Sequence, residues 1–426
     1  MRLTVVGGGS TYTPELVDGI AGRRASLDVD EIVLVDPDIH RLRIVGPFCQ
    51  RLLDHAGHPA KVLTTTNLVE GVEGASAVLL QLRVGGQKAR RSDETFPHVC
   101  GCIGQETTGA GGLAKALRTV PVVLDIAETV RRVAGEDTWI VNFTNPVGIV
   151  TRALLEAGHK AVGLCNVAIG LQRKIAGWLG VGIGDVRLEH LGLNHLTWER
   201  GIYVSTPDGE TNRLADLLGD QYGPTIAEEI GQPLEWMRRM DAIPSYYLKY
   251  YYGHDEVYAS QLVNPPRADV VTEVENELLK IYSDPSVVTK PESLAKRGGA
   301  YYSEAAVQLV HALTSGGEPE EHVVNVRNNG ALPFLPDDAV IEVPAMVNGS
   351  GAVAKPIRPV EQRFAGLISH VTSYEYLALE AALKGGRDRV ADALLAHPLV
   401  GQFTKADRLA DELVAANRGD LPWARV

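Results

Sequence analysis

Disulfides, a membrane span and a polyanionic partner are what this sequence has too little material to support. Its 426 residues contain 4 cysteines (Cys49, Cys100, Cys102 and Cys165), too few for a disulfide framework; thiols held reduced are expected, and they are available as metal ligands. No apolar run reaches the roughly 20 residues that cross a bilayer. The opening MRLTVVGGGS enters a strand directly instead of presenting a signal peptide, so a cytoplasmic location is expected. Positive charge is short as well. Lys and Arg number 41 against 53 Asp and Glu, a formal charge of -12, and no basic run could track a phosphate backbone, which excludes nucleic acid as the main partner. Internal repeats, heptads, low-complexity tracts and polar linkers are also missing. The length predicts two domains sharing an interface, a favoured place for a ligand.

What is present is alternation. Residues 3–6 form a β-branched run ending in three glycines, and Thr13-Pro14-Glu15 opens a helix with an N-cap hydroxyl, an early proline and a first-turn acid. Further strands are predicted at 31–36, 77–82, 139–143 and 161–165, with helical spacing over 115–133, so that βαβ crossovers build a parallel sheet. Beyond Asn166 the pattern changes to antiparallel strands over 187–204, helices over 268–282 and 301–313, a strand over 340–347, and two or three helices from Glu361. The expected architecture is α/β: a Rossmann-type doubly wound sheet in residues 1–165, then an α+β, largely helical substrate domain in 166–426, an arrangement like that of lactate and malate dehydrogenases.

Gly7-Gly8-Gly9-Ser10-Thr11-Tyr12 keeps the first two positions of the GxGxxG fingerprint and replaces the third glycine by Tyr12. The turn follows a strand and opens a helix whose dipole suits a phosphate. Asp36 ends the second strand, where an acid accepts from the adenine ribose 2′-hydroxyl and repels a 2′-phosphate, so NAD is favoured over NADP.

Further candidates are weaker one by one. Cys165 ends a strand in GLCN and His195 sits in GLNHLTW, so both could reach the carboxyl edge of the sheet as metal ligands, although packing and satisfied polar groups are the commoner roles for such residues. The run Ser245 to Tyr252 (SYYLKYYY) would place Tyr247 and Tyr251 on one helical face. A tyrosine acts as a base only where a cation lowers its pKa from near 10. Arg83, Arg91 and Arg267 are anion-binding candidates whose ordinary reading is surface pairing.

Taken in order, GGGSTYTPEL from Gly7, LQLRVGG from Leu80, RSDETFP from Arg91, GQETTGAGG from Gly104, NFTNPVG from Asn142, GLCNVAIGLQ from Gly163, GLNHLTW from Gly192, YYLKYYY from Tyr246 and RGGAYYSEAA from Arg297 resemble glycoside hydrolase family four, the NAD- and metal-dependent glycosidases, and within it the 6-phospho-β-glucosidases. Family members of this kind stand outside two-carboxylate glycosidase chemistry. The resemblance implies that Cys165 and His195 ligate a divalent metal, generally Mn²⁺, with substrate oxygens and water completing the shell. Ligand softness alone would suit zinc better. It also implies that Tyr247 is the catalytic base, that Arg91 and Arg267 bind the substrate 6-phosphate, that Asn145 bonds the sugar, and that Gly7, Gly8, Gly9, Ser10, Asp36 and Arg83 serve the cofactor. Asn166 stands where members acting on α-glycosides tend to carry a proton-donating Asp, which points to β specificity. Ala168 replaces the proline usual in the CNVP form of the motif.

The implied reaction is hydrolysis of a phosphorylated disaccharide or aryl glycoside to glucose 6-phosphate and an aglycone. C3 is oxidised transiently, C2 is deprotonated, the aglycone is eliminated, water adds and hydride returns. A homodimer or homotetramer is expected. The rival readings are the α-anomer or an unphosphorylated sugar within the same family, an NAD-dependent 2-hydroxyacid dehydrogenase, and an NAD-responsive regulator.

Overall fold

The computed structural model describes residues 1–24, 27–297 and 302–425, the Tyr302 side chain excepted. Residues 298–301, within the RGGAYYSEAA stretch, lie outside the described residues, as does the first residue of the helix expected over 301–313; the described helix runs Tyr302–Thr314.

Six strands come first: β1 (Arg2–Val6), β2 (Glu31–Val35), β3 (Lys61–Thr65), β4 (Ala77–Leu80), β5 (Trp139–Asn142) and β6 (Ala161–Gly163). All their pairings are parallel, in the order β3-β2-β1-β4-β5-β6, so the direction of winding reverses beside β1. Every residue of β4, β5 and β6 is buried, as expected for parallel strands covered on both faces, which read as continuous apolar runs. β3 adds to the strands expected from sequence: KVLTT is a half-exposed edge strand with little apolar signal.

The helix Thr13–Ala21 starts differently from expectation. Tyr12 is the N-cap and bonds nothing through its side chain to the helix end, while Thr13 lies inside the first turn and donates from Oγ1 to the Gly8 carbonyl at 2.9 Å. The hydroxyl therefore pins the glycine turn instead of capping the helix.

The remaining strands divide between two places. β7 (Val186–Leu193), β8 (Leu196–Thr206), β9 (Gly209–Asn212) and β10 (Ile243–Pro244) form a separate antiparallel sheet. β11 (Glu320–Arg327), β12 (Val340–Asn348) and β13 (Gly351–Ala354) return to the first sheet, β11 lying antiparallel to β6 through Asn325 opposite Gly163. The first sheet thus has nine strands among the described residues and is mixed, the parallel set expected over residues 1–165 being extended past β6 by three antiparallel strands from later in the chain. The physical reason is edge protection: β6 would otherwise leave a row of unpaired backbone groups at an apolar edge.

The sequence-based boundary at 165/166 marks the change of pattern, but burial does not follow it. One core joins strands β1–β6 to the helices Arg267–Ser283, Gln362–Lys384 and Phe403–Asn417 and takes in Leu191, Leu193 and Trp198, while a smaller core gathers other buried residues between Ala168 and Ile243.

Candidate active site

A cavity of about 1350 Å³ opens at the carboxyl ends of the parallel strands, where ligands bind in doubly wound sheets. Five of the six strand ends deliver residues to it: Gly7 and Ser10 after β1, Asp36 after β2, Gln81 and Arg83 after β4, Phe143 and Asn145 after β5, and Asn166 after β6; the edge strand β3 supplies none of the residues lining it.

The glycine turn is tightly built. Gly7 takes φ 88°, and its amide and that of Gly8 both donate to the Val35 carbonyl, at 2.8 and 3.0 Å. A Cβ on Gly8 would lie 2.7 Å from Leu34 Cβ and 2.8 Å from Leu34 Cα, so a side chain there cannot be accommodated without moving β2. The Asp36 carboxylate accepts from Gly9 N at 3.0 Å and from Asp38 N at 2.9 Å, which turns the acid toward the cavity. Arg297, 286 residues further along the chain than Thr11, donates to Thr11 Oγ1 at 2.8 Å and to Ser10 Oγ at 3.3 Å. The cradle thus matches a dinucleotide: a glycine turn without side chains, a helix N-terminus and an acid for a ribose.

Opposite it, three sequence candidates meet. β7 and β8 are joined by a two-residue turn, Asn194-His195, in which His195 is left-handed at φ 63°, a conformation costing a non-glycine residue on the order of 1–3 kcal/mol. His195 Nδ1 is bonded to Thr107 Oγ1 at 2.9 Å, and burial depresses its pKa to about 4. At neutral pH the ring is therefore uncharged, as a metal ligand must be, and Nε2 is the nitrogen left for coordination.

β10 runs beside β8, and Ser245 N donates to Thr197 O at 2.8 Å, bringing Tyr247 flat against His195 with ring centroids 3.7 Å apart and planes 9° from parallel. Cys165, 4% exposed, lies close enough to add to the electrostatic surroundings of Tyr247. Burial first, then Tyr246 and the Cys165 thiol, push the Tyr247 phenol well above its ordinary range. Without a cation beside it, that phenol is no base. Among the described residues no group of three or more His, Cys, Asp or Glu could hold a metal. Among the described residues the buried Oδ1 of Asn145 has no hydrogen-bond partner, an acceptor suited to a sugar hydroxyl.

The expected pairing of Tyr247 with Tyr251 does not occur. Ser245 caps a 3₁₀ turn, Tyr246–Leu248, whose period of three places Tyr250, 6.2 Å away in ring centroids, on the cavity side, while Tyr251 turns inward to bond Thr108 Oγ1 at 2.7 Å.

The arginines separate. Arg267 lines the cavity at the start of the helix Arg267–Ser283 and donates to Lys296 O at 2.7 Å. Arg91 is 57% exposed in its side chain and pairs with Asp269 at 2.9 Å; it is not brought into the cavity wall, because the adjacent Arg90 takes the inward face of the helix Gly86–Thr95. Arg83 lines the cavity, but its guanidinium is bound to Glu106. Glu106 also meets Lys115 at 2.7 Å and Arg90 at 3.1 Å. Burial opposes the Glu106 charge, but the three cations together hold its carboxyl well below the ordinary range. Thr107, Glu106 and Lys115 are not singled out by the sequence. The first two lie in the GQETTGAGG stretch, but threonine and glutamate carry no signature of a supporting role, and Lys115 reads as part of an amphipathic helix.

The model of the family 4 glycosyl hydrolases matches residues 2–181, and that of the family's C-terminal domain matches residues 190–400. The chain is 38% identical to a probable 6-phospho-β-glucosidase of Bacillus subtilis, covering 99% of this chain and 97% of that one. It superposes with a TM-score of 0.90 and 34% identity on a 6-phospho-β-glucosidase of Thermotoga maritima crystallised with manganese, NAD⁺ and glucose 6-phosphate, covering 98% of each chain. A malate dehydrogenase of Plasmodium falciparum with NADH superposes with a TM-score of 0.52 at 11% identity, covering 90% of this chain and 99% of that one; that likeness is one of fold alone.

Proposed function

The chain belongs to glycosyl hydrolase family 4, and from that premise we propose that it hydrolyses 6-phospho-β-glucosides to glucose 6-phosphate and an aglycone with NAD and a divalent metal, Mn²⁺ by preference. The observation that carries this reading is the stack of Tyr247 on His195, beside Cys165, facing the Gly7–Asp36 cradle across one cavity. The β-anomer and the 6-phosphate are supported by the Bacillus and Thermotoga relatives.

When bound, NAD supplies reversible hydride exchange at C3 of the sugar, which acidifies the C2 proton, and the metal supplies Lewis acidity toward the C2 and C3 oxygens. The chain's own residues do the rest. Gly7, Gly8, Gly9, Ser10 and Asp36 hold the dinucleotide, with Arg83 at its rim. Cys165 and His195 hold the metal, and Thr107 fixes the imidazole so that Nε2 faces it. Tyr247 takes the C2 proton on its phenolate oxygen. Asn145 accepts from a sugar hydroxyl, Asn166 sits where a β-selective site needs no acid, and Arg267, with Arg91 on the outer rim, attracts the phosphate. The cytoplasm and a homodimer or homotetramer belong to the same proposal, supported by a phosphorylated substrate class, by four cysteines outside any disulfide and by Leu262 and Val263, 57% and 81% exposed on one helix.

Tyr247→Phe tests the reading. It is expected to lower kcat on p-nitrophenyl 6-phospho-β-glucoside by at least about 100-fold, the scale of general-base catalysis, and to stop deuterium entering C2 from D₂O during turnover. Wild-type turnover without any C2 exchange would reject proton abstraction.

A further inference from the structure

Glu342, in the middle of β12, is 1% exposed and lies outside the cavity wall, yet its carboxylate meets the supports of both proposed metal ligands. Oε1 accepts from His190 Nε2 at 3.0 Å; Oε2 accepts from Asn194 Nδ2 at 2.9 Å and from Asn325 Nδ2 at 2.8 Å. Asn194 is the first residue of the turn that holds His195 in its left-handed conformation. Asn325 sits on β11 directly opposite Gly163, so close that a Cβ on that glycine would lie 2.8 Å from its own Cβ. Cys165 follows two residues later. Cys165 and His195 thus leave strands of two different sheets, and one buried carboxylate touches Asn194, next to His195 in the chain, and Asn325, across from the strand that leads into Cys165.

We propose that Glu342 is a positioning residue that sets the separation of the Cys165 thiolate and His195 Nε2 by holding Asn194 and Asn325 to a single carboxylate. The proposal rests on the assignment of Cys165 and His195 as the metal ligands. It requires a carboxylate and not merely a polar side chain. Donors approach both oxygens: two Asn amides on one and His190, whose Nδ1 is held by Glu199 at 2.6 Å, on the other. A glutamine in either orientation turns an NH₂ against one of these donors. The left-handed His195 needs such support, since a strained residue persists only where its surroundings over-determine it.

The test is Mn²⁺ affinity, read from the electron paramagnetic resonance of the free aqua ion in the presence of glucose 6-phosphate, alongside NAD affinity measured without metal. Glu342→Gln is expected to weaken Mn²⁺ binding by about 10–100-fold, the usual scale for groups that orient a metal ligand, and to leave NAD affinity within about twofold. Asn194→Ala, which removes one link from a partly exposed turn, shifts Mn²⁺ affinity the same way and serves if Glu342→Gln does not fold. Mn²⁺ affinity unchanged in the folded variant, or NAD affinity lost in step with it, overturns the proposal. His195→Ala in the same titration separates the two levels: if it retains wild-type Mn²⁺ affinity the ligand assignment fails, and if it loses Mn²⁺ while Glu342→Gln keeps it, only the role of Glu342 fails.

Discussion

Tyr247 sits in surroundings that oppose its proposed role, because burial holds the phenol protonated and the base exists only while a cation balances the phenolate. Gly8 shows the opposite economy, a residue whose contribution is the side chain it lacks. Because a Cβ there would meet Leu34 at 2.7 Å, Gly8→Ala is expected to push β2 away from the turn and carry Asp36 with it. Overpacking of this kind costs about 1–3 kcal/mol, and NAD affinity measured by calorimetry should fall by at least about tenfold. An NAD affinity matching wild type would show that the turn does not define the dinucleotide site. Residues of this type are legible in the sequence because glycine at a strand-to-helix turn answers almost entirely to backbone geometry. Thr107 and Glu106 are not, since their partners His195, Arg83 and Lys115 are brought to them only by the fold.

Among the elements, the buried set of β7, β8, β11 and β12 carries a second consequence, independent of any metal. His190 lies between Glu199 and Glu342, at 2.6 and 3.0 Å. Burial favours the neutral ring, but the two carboxylates overcome it and raise the pKa from its ordinary 6.5 to about 10. A histidine raised in the folded state contributes its full stabilisation below the unfolded pKa and loses it as pH climbs through the folded one. The metal-free protein is therefore expected to lose on the order of a few kcal/mol between about pH 6.5 and 10, seen as a falling Tm, and His190→Gln should flatten that slope. A wild-type Tm slope that survives unchanged in His190→Gln would assign the titration elsewhere. The strands that meet here show where sequence reading stops. Antiparallel pairing over 187–204 and a strand over 340–347 follow from apolar pattern, but the docking of β11 on β6 rests on one register pair, Asn325 with Gly163. Neither residue announces a strand partner so distant in the chain.

At the scale of the whole molecule, that docking makes the nucleotide-binding sheet depend on the last third of the chain. Cutting after residue 165 would bare β6, strip the helix Gln362–Lys384 from the buried helix Gly109–Val133, and remove Asn417, which accepts from Arg118 beside the buried Arg118–Asp93 pair at 2.6 Å. Each loss exposes either an apolar strand edge, which templates aggregation, or polar groups whose partners have gone. The fragment 1–165 is therefore expected to aggregate or to melt without a cooperative transition, although it contains the entire glycine turn and Asp36. In the full chain the same coupling has the reverse effect. NAD at 100 times its Kd adds about 2.7 kcal/mol to whatever unfolds with its site, and because one core spans β1–β6 and the C-terminal helices, hydrogen exchange should slow together in the helices Gly109–Val133 and Gln362–Lys384. Should fragment 1–165 instead melt sharply and bind NAD within about tenfold of the full chain, or should exchange slow only around the glycine turn, the sheet would be an independent domain and the C-terminal strands an accessory to it.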